Sequence, residues 1–236
     1  DYLSSSGFKN TITNFTVGTG FEHKQDLFFT PLIVFEAENL TTDSTASAAL
    51  KKQDGNYNTI ELDYSFLYDK RDQSFRPSDG YFSRFNQNLP LLSNDYSISN
   101  TYDFKTYHKL SENTVSNLSF HLASINSLDG GDVRVSDRKY LSPRKLRGFE
   151  PGKIGPIDGG DFIGGNYLTA LNLTTTIPKL LENSQTLDFV AFFDAANLWG
   201  VDYDSSIDDR NDFRSSIGLG INWMTLIGPL SFSYAL

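Results

Sequence analysis

Apolar and polar positions alternate along most of this chain with a period of two, the spacing of strands whose two faces meet different surroundings. From Thr11, the odd positions Thr11, Thr13, Phe15, Val17, Thr19 and Phe21 are aromatic or β-branched, while Asn14, Thr16, Gly18 and Gly20 between them are small or polar. The pattern returns with Phe29, Ile33 and Phe35, with Ile60, Leu62, Tyr64, Phe66 and Tyr68, and with Tyr81, Phe85 and Leu89. Tyr96, Ile98, Tyr102 and Phe104 continue it, then Leu118, Phe120 and Leu122. Past residue 165, Leu171 and Leu173 oppose Asn172 and Thr174; Leu187, Phe189, Ala191, Phe193 and Ala195 oppose Asp188 and Asp194. Ile217, Leu219, Ile221 and Trp223 oppose Gly218, Gly220 and Asn222, and Leu230, Phe232, Tyr234 and Leu236 oppose Ser231 and Ser233. Ten strands are expected, with a long polar loop over residues 38–57.

Ten alternating strands fit a soluble sandwich or barrel, apolar face inward, or an antiparallel transmembrane β-barrel with its apolar face on lipid and a polar, Gly-rich interior. Three features favour the transmembrane barrel. The strands reach about 10 residues, enough to cross a bilayer at a tilt. Short connections (EHKQD, the Pro77 turn, SEN, KLLENSQ, MTLIGP) alternate with longer ones, LLSND excepted, as periplasmic and extracellular loops do. Aromatics gather near strand ends (Tyr64 and Tyr68, Tyr81, Tyr96, Trp199, Trp223), where interfacial girdles lie. The apolar set Phe15, Phe35, Phe66, Phe104, Phe120, Leu171, Phe189, Leu219 and Phe232 is then expected outside, with its sequence neighbours inside.

One segment, residues 129–165, has no period of its own. Loops this long are uncommon in compact domains and are usually functional or disordered. Leu146, Phe149 and Ile154 offer packing points here, Pro143, Gly148, Pro151, Gly155 and Pro156 fix turns, and Arg138, Lys139, Arg144, Lys145 and Arg147 lead into Gly148-Phe149. A structured loop on a β-scaffold is expected. Alternation puts Asp194 on the polar face of its strand, inside the barrel, where a carboxylate wants a cation. Arginine suits that role because its planar fork gives a carboxylate two parallel hydrogen bonds.

Composition narrows the chemistry. A net charge of −9 speaks against a nucleic-acid partner. Without cysteine there is neither a disulfide framework nor a thiolate metal site. His23, His108 and His121 lie far apart at no ligand spacing, so no metal or other cofactor is expected. No serine stands in a nucleophile elbow, and the chain is read as a non-enzyme. The acidic run Asp202–Asp212 lacks the Gly and terminal Glu of an EF-hand loop and is expected to be a solvated loop. The opening DYLSSSGFKN has neither the basic start nor the apolar centre of a signal peptide, so the chain reads as beginning part-way through a longer protein.

The loop residues LRGF (Leu146, Arg147, Gly148, Phe149), the IGP that follows (Ile154, Gly155, Pro156) and Gly164-Gly165 resemble a known family in order and spacing, as do FFDAANLWG at 192–200 and the ending SSIGLGINWMTLIGPLSFSYAL. The turn DKRDQSFRPSDG fits the same pattern. All resemble the barrel of the BamA family of outer-membrane protein assembly factors, over essentially the whole chain. The resemblance implies one barrel domain over 1–236, supplying about ten strands of a barrel of about sixteen. Periplasmic domains, the first strands and the last strand would lie outside it. In the family the first and last strands form the weak seam where client proteins are thought to pair.

The resemblance also implies that the loop folds back into the barrel, with Arg147 meeting Asp194 on the wall. The family's second wall acid falls on Asn172, a neutral residue expected to act as an acceptor. Implied partners are outer-membrane lipids and lipopolysaccharide, unfolded outer-membrane proteins as clients, and accessory assembly lipoproteins. The implied function is insertion of β-barrel proteins into the outer membrane. A two-partner-secretion transport pore of the same superfamily and a simple diffusion porin are the alternatives.

Overall fold

The computed structural model describes residues 7–178, 186–203 and 206–236. The connection KLLENSQ, the first six residues and part of the acidic run (204–205) lie outside the described residues. Along the chain run β1 (Phe8–Gly18), β2 (Phe21–Lys24), β3 (Leu27–Thr42), the one-turn helix α1 (Ala48–Lys51), β4 (Gly55–Asp69), β5 (Gly80–Ser93), β6 (Ser97–Ser111) and β7 (Thr114–Ser127). After them come the small strands β8 (Ile157–Asp158) and β9 (Asp161–Phe162), then β10 (Tyr167–Pro178), β11 (Leu187–Trp199), β12 (Arg214–Thr225) and β13 (Gly228–Ala235). The large strands form one antiparallel sheet in the order β1-β3-β4-β5-β6-β7-β10-β11-β12-β13, an all-β partial barrel. Each large strand pairs with the next in sequence, the meander that period-two segments joined by reversals produce.

β2 continues β1 along β3 in the same register: Gly18 stands opposite Leu32 and Phe21 opposite Phe29. The break at Thr19-Gly20 faces Pro31, whose carbonyl accepts from the Thr19 N–H but which has no N–H to return. Thus Thr11 to Phe21, one strand by pattern, is one strand with a gap.

Register separates the two faces. Phe104, Phe120 and Leu171 lie side by side across three strands, as do Phe189, Ile221 and Phe232. Phe15 pairs with Phe35, and Phe66 with Phe29 and Phe85. Phe15, Phe35, Phe66, Leu171, Leu219 and Phe232 are exposed. Aromatic pairs stand on this face, Tyr68–Tyr81 edge-to-face towards the short-turn end and Tyr167–Trp199 tilted towards the long-loop end. In lipid such exposure is solvation by acyl chains. On the other face Lys105, Ser119, Asn172, Asp194 and Ser216 form a continuous polar row.

Two expectations change. The loop over 38–57 is shorter, because β3 runs on to Thr42 and β4 begins at Gly55. Its polar side chains pair across the ladder, as Asn39 does with Asn56, so polarity here marks a strand leaving the lipid and not a loop. The segment 129–165 also holds a strand pair, β8–β9, reversed at Gly159 and Gly160, both at positive φ as a tight hairpin requires.

The buried core lies inside the sheet's curve. Leu141 and Leu146 of the long loop pack on Leu168, Ala170, Ala196 and Leu198 of β10 and β11, with Phe149 and Ile154 at the edge. A second cluster joins Phe8, Leu40, Ala46, Leu50, Val135 and Ile163.

Candidate functional site: the docked loop

The loop between β7 and β10 leaves the wall after Ser127 and rejoins it at Tyr167. Its return is tied by a bridge between Lys139 and Gly165, with both backbone hydrogen bonds made. Gly165 lies so close to the Trp199 backbone that a Cβ there would fall 2.6 Å from its carbonyl oxygen.

At the tip, Arg147 reaches Asp194. Its Nε donates to Oδ2 and its Nη2 to Oδ1, each at 2.7 Å, the paired fork geometry that arginine makes with a carboxylate. The Arg147 backbone N–H adds a third bond to Oδ2 at 3.1 Å. The guanidinium lies 3.5 Å from the centre of the Phe192 ring, and Nη2 reaches Thr174 Oγ1. Asp194 is 0% exposed, so its charge is answered almost wholly by this loop. Gly148 follows at φ +88°, and a Cβ there would stand 2.6 Å from that of Ala235 on β13. Leu146 is buried beside the pair, Pro156 is fully buried, and Gly155 at φ +103° lies against Leu198. Phe149 and Ile154 lie at the edge of the apolar cluster.

Asn172 is beside Asp194, but as a donor and not an acceptor. Its amide gives hydrogen bonds to Asp194 Oδ1 (2.8 Å) and to the Lys145 carbonyl (2.9 Å). Both neighbours are acceptors, so only the NH₂ end can satisfy them. Asn172 therefore ties the loop backbone to the wall carboxylate.

A second anchor holds the other limb of the loop. Arg134, 5% exposed, pairs with Glu38 of β3 at 3.1 Å, with Asp137 at 2.8 Å and with Asp95 at 3.5 Å, and stacks over Tyr57. Arg138, also buried, donates to the Val133 carbonyl and to Asp202 Oδ1 at 3.0 Å. Asp202 also accepts from the Val133 N–H and from Asn166. The start of the acidic run is thus part of the loop's anchorage, because a buried guanidinium needs a carboxylate more than water does. Arg138 and Lys139 are not free surface cations either; the Lys139 ammonium donates to Ser99.

Between this limb and the wall lies a cavity of about 190 Å³, lined by Glu36, Glu61, Asn88, Arg134, Asp137 and Lys139. Burial pushes the Asp137 carboxyl up to about 6, with Arg134 pulling it back. Burial lowers the pKa of Lys139, which Asp137 partly offsets. Among the described residues no group of His, Asp and Glu is arranged to hold a metal ion.

The sequence does not single out the Arg134 anchor, since Val133 and Val135 on either side of it make too short an alternation to read as a period. The apolar patch under Leu146 did leave a signal. Leu168, Ala170, Ala196 and Leu198 are apolar at positions where alternation calls for polar ones, which marks a wall buried from inside.

The antiparallel sheet also occurs in known proteins. The Omp85 superfamily domain matches residues 1–236, the full length of the sequence. The chain belongs to the Omp85 superfamily. Its sheet superposes on a crystal structure of BamA from Haemophilus ducreyi lacking POTRA domains 1-3 with a TM-score of 0.85, over 97% of this chain and 51% of that one, at 22% identity. It is 28% identical over 200 residues to the outer membrane protein assembly factor BamA of Nitratidesulfovibrio vulgaris, covering 81% of this chain and 24% of that protein. For the sorting and assembly machinery component 50 homolog of Homo sapiens the identity is 30% over 139 residues, 57% of this chain and 30% of that protein. This Omp85 chain, an outer-membrane β-barrel by family and fold, spans about a quarter of the bacterial assembly factor's length.

Proposed function

We propose that this Omp85 chain is barrel sequence of an outer-membrane protein assembly factor, whose clients are unfolded β-barrel proteins inserted into the outer membrane. The observation that carries the reading is the loop seated on the inner wall through Arg147 and Asp194, in a chain similar over most of its length to named assembly factors. The loop's role is to brace β10, β11 and β13 from inside. Gly148 touches Ala235, Arg147 grips β11, and Asn172 ties in β10. A braced wall keeps its curvature while neighbouring strands part to receive a client strand by edge pairing.

The work is non-enzymatic, since strand pairing and bilayer deformation make or break no covalent bond. Lipids surround the outer face; lipopolysaccharide on the long-loop side and accessory lipoproteins at the periplasmic side complete the proposed partners. The barrel is read as one domain over 1–236, with strands on both sides of it completing the wall.

The test uses the full-length protein in phospholipid vesicles, with an unfolded outer-membrane β-barrel protein added. Faster appearance of the client's heat-resistant band is expected, and Arg147→Ala is expected to slow it. Vesicles that pass a soluble polypeptide across the bilayer, yet leave client folding unchanged, would assign the chain to transport instead.

A further inference from the structure

Residues 215–236 carry no Asp, Glu, Lys, Arg or His. They make up nearly all of β12, all of β13 and the turn that joins them, at the same end of the sheet as three other described connections. Those three carry charge: Gln25-Asp26, the 70–79 turn with its KRDQSFRPSD, where exposed Phe75 stands among charged residues, and Glu112-Asn113. At the tip of the charge-free hairpin stand Leu226 and Ile227, 108% and 92% exposed.

Turn chemistry does not call for them. The reversal is made by Gly228 at φ +127° and by Thr225, whose hydroxyl donates to the Gly228 carbonyl. Tip positions of such a turn ordinarily take Asn, Asp, Ser or Gly. Single exposed aliphatics are ordinary on protein surfaces, but two adjacent ones, fully projecting, in a stretch without charge, are not.

The tip also continues a surface already in lipid. On the outer face Trp223 stands opposite Leu230, both exposed, and the turn follows two ladder positions later. β12 counts 12 residues, close to the ~9–11 that a tilted strand needs to cross the hydrocarbon. The tip therefore sits at the membrane boundary and not well beyond it. Tryptophan at that level is an interfacial residue.

We propose that the β12–β13 turn is a lipid anchor, with Leu226 and Ile227 inserted at the headgroup–acyl boundary of the leaflet on the short-turn side. The other described turns at that end stand in water. One arc of the barrel would thus hold the bilayer surface close to its strand ends, while the charged turns beneath β2–β3, β4–β5 and β6–β7 let it ride free. The inference rests on the barrel's place in the membrane and not on the assembly reading.

The sequence has no cysteine, so Leu226→Cys and Ile227→Cys give single labelling sites, each made separately in the full-length protein with any cysteine elsewhere replaced. Glu112→Cys, in another turn at the same end, is the aqueous reference. With an environment-sensitive NBD label in phosphatidylethanolamine–phosphatidylglycerol vesicles, positions 226 and 227 should show blue-shifted emission and several-fold weaker iodide quenching than 112. Lipids spin-labelled near the headgroup should quench them strongly. Iodide quenching equal to that at 112 overturns the proposal, and protection found only in native envelopes assigns the tip to a protein partner. Protection that vanishes when protein is diluted into excess lipid assigns it to a second copy. If neither labelled variant folds, Leu226→Asp/Ile227→Asp provides the second arm: slower insertion into vesicles with unchanged folding in detergent is expected, and equal insertion rates overturn the idea.

Discussion

Asp194 accepts hydrogen bonds from the Arg147 side chain, the Arg147 backbone and Asn172, with no exposure to solvent. Removing one partner of a buried ion pair costs on the order of 3–5 kcal/mol, because the other is stranded. Arg147 is still about one-fifth exposed along its side chain, so the loss here is expected nearer the roughly 1–3 kcal/mol of a hydrogen bond to a charged group. Arg147→Ala and Asp194→Ala in the full-length protein should each increase protease nicking between residues 129 and 165. The double variant should be little worse than either, since both remove one contact; additive nicking would show that the two residues act separately. Gly148→Ala tests a different force. A Cβ at φ +88° costs about 1–2 kcal/mol of backbone strain, and here it also meets the Ala235 Cβ at 2.6 Å. Looser docking with the ion pair still present is the expected result, read by the same nicking assay.

The long loop behaves as an element with two anchors. One limb is held by Arg147 on β11, the other by Arg134 on β3, and the apolar contacts of Leu141 and Leu146 lie between them. The Arg134 limb is the one that should respond to pH. Burial raises the Asp137 carboxyl to about 6 from its ordinary 3.8, while Arg134 lowers it and Asp95 and Glu38 raise it further. The docked limb therefore binds a proton that the released limb has lost. Its contribution is fully present below about pH 4 and disappears as pH rises through about 6. Hydrogen exchange across residues 133–139 should be slower at pH 5 than at pH 7.5, after correction for intrinsic rates. Asp137→Asn should flatten the difference, and an unchanged pH response in that variant would show that another group is responsible.

At the scale of the whole molecule, the two edges of the sheet matter most. β1 and β13 each have one neighbour among the described residues, β3 and β12. Unpaired backbone groups are not tolerated in hydrocarbon, so each edge needs a partner, and the proposed complete wall supplies it with further strands. A polypeptide of residues 1–236 alone is therefore expected not to refold in liposomes as a heat-resistant monomer. Efficient insertion with shifted mobility on a cold gel would mean that β1 and β13 close on each other, and the barrel would be complete with ten strands.

The period-two pattern by itself determined the large strands and which residues share a face, because side-chain direction alternates at every residue and each face has one solvent. It also placed Asp194 and Asn172 inside. The family motif then paired Arg147 with Asp194. Tertiary structure alone decided what crosses between distant segments: Arg134 on Glu38, Arg138 on Asp202, and the donor role of Asn172. Loop residues carry no period, so nothing in their order tells which wall they will meet. An amide's donor or acceptor end is chosen by the neighbours that the fold supplies. The strand ends were misplaced around residues 38–57 for a related reason. Polarity reports where lipid ends, whereas a β-ladder continues into water for as long as its hydrogen bonds find partners.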